Sequence, residues 1–195
     1  MEDKYKNSIL LIGPPSVGKA NISLILSEKT NLQNISLADS RDKYYSELNY
    51  DYNYANKLKQ TEGVIARYKY WKKFEAHHIS SILPTIEKEA IIKFEASQTV
   101  YEDPELFSKV ADNIRKYENI ILILPDVDMK ESWKTVDKIG KIPANSDLSR
   151  LNKHLVESPC NTNLATFIAY VNGRSCEEIA DEILEYIEKK RSLCR

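Results

Sequence analysis

At 195 residues the chain is sized for one domain, 1–195, or one domain carrying a small lid. Its 42% hydrophobic content supplies a core and argues against disorder, and 28 basic against 29 acidic side chains leave a formal net charge of −1. That balance gives nucleic acid or an anionic membrane no electrostatic reason to bind, and no apolar run approaches the roughly 20 residues that span a bilayer.

The charged start, Met1-Glu2-Asp3-Lys4-Tyr5-Lys6-Asn7, is unlike a secretory leader and runs into a predicted strand at Ser8 to Ile12. The next residues are Gly13-Pro14-Pro15-Ser16-Val17-Gly18-Lys19-Ala20-Asn21, opening a predicted helix at Lys19 to Thr30. An aliphatic strand leading into Gly-x-x-x-x-Gly-Lys and a helix is the context of a phosphate-binding loop. The glycines let successive backbone N–H groups face one concavity, and the helix start adds its unpaired donors and positive dipole end. Lys19 adds a mobile charge for the β- and γ-phosphates. The residue after the lysine is ordinarily Ser or Thr, whose hydroxyl is a Mg²⁺ ligand. Ala20 has no oxygen to offer, and Ser16 restricts a loop that is usually richer in glycine.

The second predicted strand, Asn34 to Ala38, delivers Asp39 to its C-terminal end. Open α/β sheets gather ligands there, so Asp39 is a candidate for orienting an acceptor hydroxyl or a Mg²⁺-bound water; capping the next helix is the competing role. Helical patterns cover Arg41 to Lys59 and Val64 to Leu83. Within the first of them Tyr44, Tyr45, Tyr50, Tyr52 and Tyr54 form part of a set of 12 tyrosines, read as packing with hydroxyls reaching water rather than as a substrate wall. His77 and His78 are adjacent on a helix and so cannot face one ligand. A third strand at Ala90 to Phe94 precedes a helix at Pro104 to Lys116, with Asp103 as its N-cap and Pro104 in its first turn. A fourth strand, Asn119 to Leu124, ends at Asp126 and Asp128, which suit either a turn or the outer surroundings of a metal. From Lys130 to Pro159 apolar positions are intermittent. This segment reads either as a flexible cover bringing cations to phosphate or as a long connection. Arg150 and Lys153 are its leading cations, ahead of Lys134, Lys138, Lys141 and His154, because a guanidinium can bridge two phosphate oxygens. A fifth strand at Thr166 to Val171 and an amphipathic helix at Cys176 to Lys190 complete the chain. Cys160, Cys176 and Cys194 have no CxxC spacing, which reads as reduced thiols in a cytoplasmic protein without structural zinc.

Short aliphatic runs alternating with helices predict an α/β fold, a parallel sheet covered on both faces. This order of parts resembles the shikimate kinase family within the P-loop small-molecule and nucleoside-monophosphate kinases. Gly13-Pro14-Pro15 is also similar to the loop opening of adenylate kinases. The resemblance implies a three-layer P-loop NTPase fold, a five-stranded parallel sheet and a small lid. It further implies ATP and Mg²⁺ as cofactors and a small-molecule acceptor.

The family's Asp-x-Asp after the second strand corresponds to Asp39-Ser40-Arg41, so Arg41 stands where a substrate-binding carboxylate is found. Trp71-Lys72-Lys73-Phe74-Glu75 resembles the family's Phe-Arg-x-x-Glu, which puts Lys72 in the place of a substrate-binding arginine. Lysine is not equivalent to arginine for bidentate carboxylate recognition. The family's triple glycine is replaced by side chains in Phe94-Glu95-Ala96, which argues against shikimate as the acceptor. The stretch Asn172-Gly173-Arg174-Ser175 is similar to the loop that contacts adenine.

Three functions are consistent with these residues. The first is transfer of the ATP γ-phosphate to a hydroxyl of a small polar metabolite by Lys19, Asp39 and Arg150, in a monomer or homodimer. The second is a nucleotide-binding regulatory protein with weak or lost catalysis. A nucleoside-monophosphate kinase is third, because Arg41, Arg67, Arg115 and Arg150 are scattered along the chain.

Overall fold

The computed structural model describes residues 3–193. Cys194, and the first two residues of the charged start, lie outside them. After a short helix α1 (Asp3–Asn7), strands β1 (Ile9–Ile12), β2 (Gln33–Ser36), β3 (Ala90–Lys93), β4 (Asn119–Leu124) and β5 (Phe167–Tyr170) form one sheet in the order β2-β3-β1-β4-β5. Every pairing is parallel. The intervening helices are α2 (Lys19–Thr30), α3 (Arg41–Ser46), α4 (Tyr52–Thr61), α5 (Val64–Ile82), α6 (Pro104–Ile114), α7 (Met129–Gly140), α8 (Asp147–Glu157) and α9 (Pro159–Leu164). The last is α10 (Cys176–Leu193).

The strands that flank the phosphate loop are stiff for a simple reason. All of β1 and β4 is buried, because their alternating side chains are covered on both faces. Leu10, Ile12, Ile92 and Leu122 point to one face and pack with Ile79 of α5 and Val110 and Ile114 of α6. Ile9, Leu11, Ile91, Ile121 and Ile123 point to the other, against Ile22 and Leu26 of α2 and Ile179 and Ile183 of α10. Each fully buried Leu or Ile contributes about 1.5–3 kcal/mol, so the sheet centre is a firm base for a loop built on its carboxyl edge.

The structure departs from the sequence pattern in three places. β2 stops at Ser36, where its register with β3 ends at Lys93, and Leu37–Ser40 forms a single 3₁₀ turn. Asp39 therefore sits inside that turn, rather than directly at a strand end. The long helix expected over Arg41 to Lys59 is broken into α3 and α4. Asn49 takes a left-handed φ of 55°, and Asp51 caps α4 by accepting from the Tyr54 N–H at 2.9 Å.

The third difference is the largest: most of Lys130 to Pro159, expected as a cover or a long connection, is helical. Asp128 accepts from the Lys130 N–H at 2.7 Å and starts α7, and the Ser146 hydroxyl accepts from the Ser149 N–H at 3.2 Å and starts α8. Both capping residues are of ordinary N-cap type, and the helices they open place Val136 and Val156 in the sheet core and Leu155 against Tyr68 of α5. Buried Asp137 of α7 ties the helices together, accepting from the Asn152 amide at 2.7 Å and from the Ser149 hydroxyl.

Replacing this carboxylate, Asp137→Ala, leaves two buried donors without an acceptor and is expected to cost about 2–3 kcal/mol in denaturant unfolding. Amide exchange should accelerate first within 129–157. Unchanged exchange there would show that the α7–α8 pair is held by something else.

Candidate active site

Ile12 hands the chain to Gly13 at φ 130° and from there into the loop. A Cβ on Gly13 would lie 2.4 Å from the Ile123 carbonyl oxygen of β4, so only glycine lets the turn start this close to the neighbouring strand. Ser16 holds a left-handed φ of 63°, a conformation that costs a non-glycine residue about 1–2 kcal/mol. The buried Val17 anchors the loop in the core beside Ile22. Gly18, at φ 82°, turns the chain into α2, whose N-terminus has no side-chain cap. Its first-turn N–H groups are left for another acceptor, which is the condition for anion binding at a helix start.

Lys19 is only 9% exposed and folds back over the loop, donating to the Gly13 carbonyl at 2.9 Å and the Pro14 carbonyl at 2.6 Å. Burial lowers it from the ordinary lysine value to about 8; Glu95 opposes the shift and Lys93 reinforces it. The cavity over the loop, about 290 Å³, is lined by Pro15 through Asn21 and by Lys93, Phe94, Glu95 and Ala96 at the end of β3. Ala20 and Asn21 are exposed at its edge.

A second cavity of about 270 Å³ adjoins the first, sharing Pro15, Glu95 and Ala96. Arg41 at the start of α3 and Arg67 of α5 both line it, together with Tyr45, Tyr68, Trp71 and Glu75. Its far wall is α8, through Leu148, Leu151, Asn152 and Leu155. The Arg67 guanidinium lies 4.5 Å from the centre of the Trp71 ring, and its buried Nε has no hydrogen-bond partner. The Arg41 side chain is 43% exposed and 3.7 Å from Asp42. Two arginines 26 residues apart thus line one small cavity, which their scatter along the chain does not suggest.

The other sequence candidates fall elsewhere. Asp39 is exposed and lines neither cavity. Lys72 is buried in an ion pair with Glu75, donates to the Ser97 and Val100 carbonyls at 2.5 and 2.9 Å, and lies over the Tyr68 and Tyr101 rings. Its charge is engaged inside the fold. Arg150 points outward, 66% exposed, and pairs with Asp147 at 2.9 Å; Lys153 lies over Trp133. Asp126 and Asp128 spend their carboxylates on the turn and cap before α7. In the loop after β5, Arg174 pairs with Glu182 at 2.9 Å. His78 is buried with Nε2 2.9 Å from the Ser40 hydroxyl, and His77 and His154 pair with Glu47 and Glu102.

The tyrosines interlock as packing, with the Tyr50 ring 4.8 Å from Phe74 and 5.0 Å from Tyr45, although Tyr45 also reaches the second cavity. Lys93, Glu95 and Arg67 line these cavities, and of the three only Glu95 falls in a motif position, that of the resembled family's triple glycine. The signal for the first two is position: β3 pairs with β1, so its carboxyl end must lie beside the phosphate loop.

The residues around the loop do not make the usual Mg²⁺ site. Position 20 offers a methyl group, and Glu95 is the sole carboxylate among the residues lining the loop cavity. Among the described residues no group of three or more His, Cys, Asp or Glu side chains is placed to hold a metal.

No protein-family model and no curated protein matches the chain in sequence. Solved structures do match its fold. A shikimate kinase from Acinetobacter baumannii, in complex with shikimate, superposes with a TM-score of 0.57 at 12% identity, covering 97% of this chain and 98% of that one. A gluconokinase from Sinorhizobium meliloti gives 0.54 at 14% identity, covering 95% and 94%. The YorR protein of Bacillus subtilis, in complex with phosphorylated GDP, gives 0.53 at 13% identity, covering 95% and 98%. The chain therefore has the fold of these solved kinases, a five-stranded parallel sheet with helices around it. No helix of the described residues is long and apolar enough to cross a membrane.

The shifted Lys19 would give a nucleotide bound at this loop a pH signature. The ligand-free lysine loses its proton as pH rises through about 8, whereas a bound phosphate favours the charged form. ADP affinity should be flat below pH 8 and decline above it. Proton uptake near pH 9 should appear as a buffer-dependent heat in calorimetric titration. Unfolded lysine keeps its proton to about pH 10.4, so the ligand-free protein should gain stability between these pH values. ADP binding without proton uptake at pH 9 would contradict the buried lysine.

Proposed function

We propose that the chain is a nucleoside-triphosphate-dependent kinase that transfers a terminal phosphoryl group, most simply from ATP, to a hydroxyl of a small anionic metabolite. The observation that carries this reading is the junction of the two cavities at Pro15, Glu95 and Ala96. One side has the phosphate loop and Lys19; the other has Arg41 and Arg67. On this reading a donor phosphate and an acceptor hydroxyl meet at that junction. In-line transfer depends chiefly on such positioning and on stabilising charge.

Each residue then has a role. The N–H groups of Gly18 to Asn21 and Lys19 hold the β- and γ-phosphates. Arg41 and Arg67 hold the negative group of the acceptor, with Trp71 and Tyr45 as its apolar walls. Glu95 takes the part that strand order alone would give to Asp39. Its carboxylate accepts the hydroxyl proton as the oxygen–phosphorus bond forms and the bond from phosphorus to the β–γ bridging oxygen breaks. Phe94, Glu95 and Ala96 occupy the space that three glycines leave open in shikimate kinases, which argues for an acceptor other than shikimate.

A second reading is supported by one observation. Ala20 cannot supply the hydroxyl that normally positions Mg²⁺, so the chain also fits a regulatory protein that binds nucleotide without transferring phosphate.

Phosphorus NMR of ATP mixed with hydroxylated carboxylates, sugar acids and phosphorylated metabolites separates the two. Transfer should appear for one acceptor class. Lys19→Ala should reduce kcat/KM at least about a hundredfold, the scale of losing a transition-state charge contact. Arg67→Ala should raise the acceptor KM about tenfold or more with nucleotide affinity unchanged. Bound nucleotide with ATP intact across the whole set would favour the regulatory reading.

A further inference from the structure

The poor fit of the loop to Mg²⁺ has a counterpart on the neighbouring strand. Side chains alternate along β3, so Lys93 continues the row begun by Ile91, on the α2 face of the sheet. Its register partner on β1 is Leu11, two residues before the loop begins at Gly13. The side chain is therefore delivered beside the α2 N-terminus, where it lines the phosphate cavity across from Lys19, Ala20 and Asn21. It is only 19% exposed and lies 3.8 Å from the carboxylate of Glu95, a separation too long for a hydrogen bond.

We propose that Lys93 replaces the charge of the metal at this site. The Lys93 ammonium and Lys19 together neutralise the bound di- or triphosphate, so that the loop binds its nucleotide without a divalent cation. This role for Lys93 rests on the nucleotide-binding function proposed for the loop and adds to it how the phosphate charge is balanced. Two independent features meet in one cavity. Ala20 removes an oxygen ligand, and a lysine enters the space at the end of β3. An ammonium on a four-carbon stem is a compact point charge with three donors and can serve as a phosphate counter-ion. Glu95 is its resting partner. Phosphate oxygens compete for the same ammonium when nucleotide enters, which releases Glu95 toward the second cavity.

Calorimetric titration with ADP and with ATP, each in EDTA and in Mg²⁺, tests this on the whole chain. The unaltered protein should bind ADP in EDTA within about threefold of its affinity in Mg²⁺. Lys93→Ala and Lys93→Gln should each weaken binding in EDTA about ten- to a hundredfold, the range for losing a charge-assisted hydrogen bond. The double change Ala20→Thr with Lys93→Ala should make binding depend on Mg²⁺. Thermal unfolding of each variant reports whether the fold is kept, and Lys93→Gln retains a polar side chain with the first two methylenes of the stem. Binding by the unaltered protein that needs Mg²⁺, or Lys93 variants that bind equally well in EDTA, would overturn the proposal while leaving the nucleotide reading intact. Absence of ADP and ATP binding in both conditions would instead overturn the nucleotide reading, and this inference with it.

Discussion

Everything at the candidate site depends on the close approach of two strands at Gly13. The hydrogen at that position leaves room for the Ile123 carbonyl of β4; a methyl group would lie 2.4 Å from it. Because β1 can turn there, the loop closes over the sheet edge, Val17 reaches the core and α2 begins with its donors uncapped. The carboxyl end of β3 lies on the other side of β1, beside the same turn. The phosphate cavity is therefore a product of sheet packing as much as of loop sequence.

Electrostatics in that cavity are dominated by burial. Burial screens Lys19 from water, which is why its proton is held less tightly than in solution, even though two backbone carbonyls accept from it. Lys93 and Glu95 add one positive and one negative charge at the rim. A polyphosphate entering this space would reverse the local sign, drawing both lysines away from their resting partners. The cost of burying the Lys19 charge thus favours an anion in this cavity.

The second cavity shows how a wall can be made by distant parts. Arg41 comes from the start of α3, Arg67 from α5 and Leu151 from α8, and none of these is near another in sequence. α8 forms that wall, and Asp137 of α7 fastens it from behind through Ser149 and Asn152. Arg150, on the same helix, faces water. Side chains one position apart on a helix point about 100° apart, so Leu151 can line the cavity while its neighbour does not.

The sequence by itself determined the parallel α/β plan, the placement of the phosphate loop between a buried strand and a helix, and the loss of an oxygen at Ala20. These are local patterns: the alternation of apolar runs, glycine spacing and the chemistry of one residue. It also carried the cap of α6 at Asp103, whereas the caps of α7 and α8 at Asp128 and Ser146 were not read from it. Only the tertiary structure decided which charged residues share a cavity. It turned Lys72 inward against Glu75, left Asp39 and Arg150 at the surface, and brought Lys93, Glu95, Arg41 and Arg67 to the loop. The reason is that a side chain's partner is set by sheet register and helix rotation, which depend on contacts far apart in the chain and leave no spacing to read.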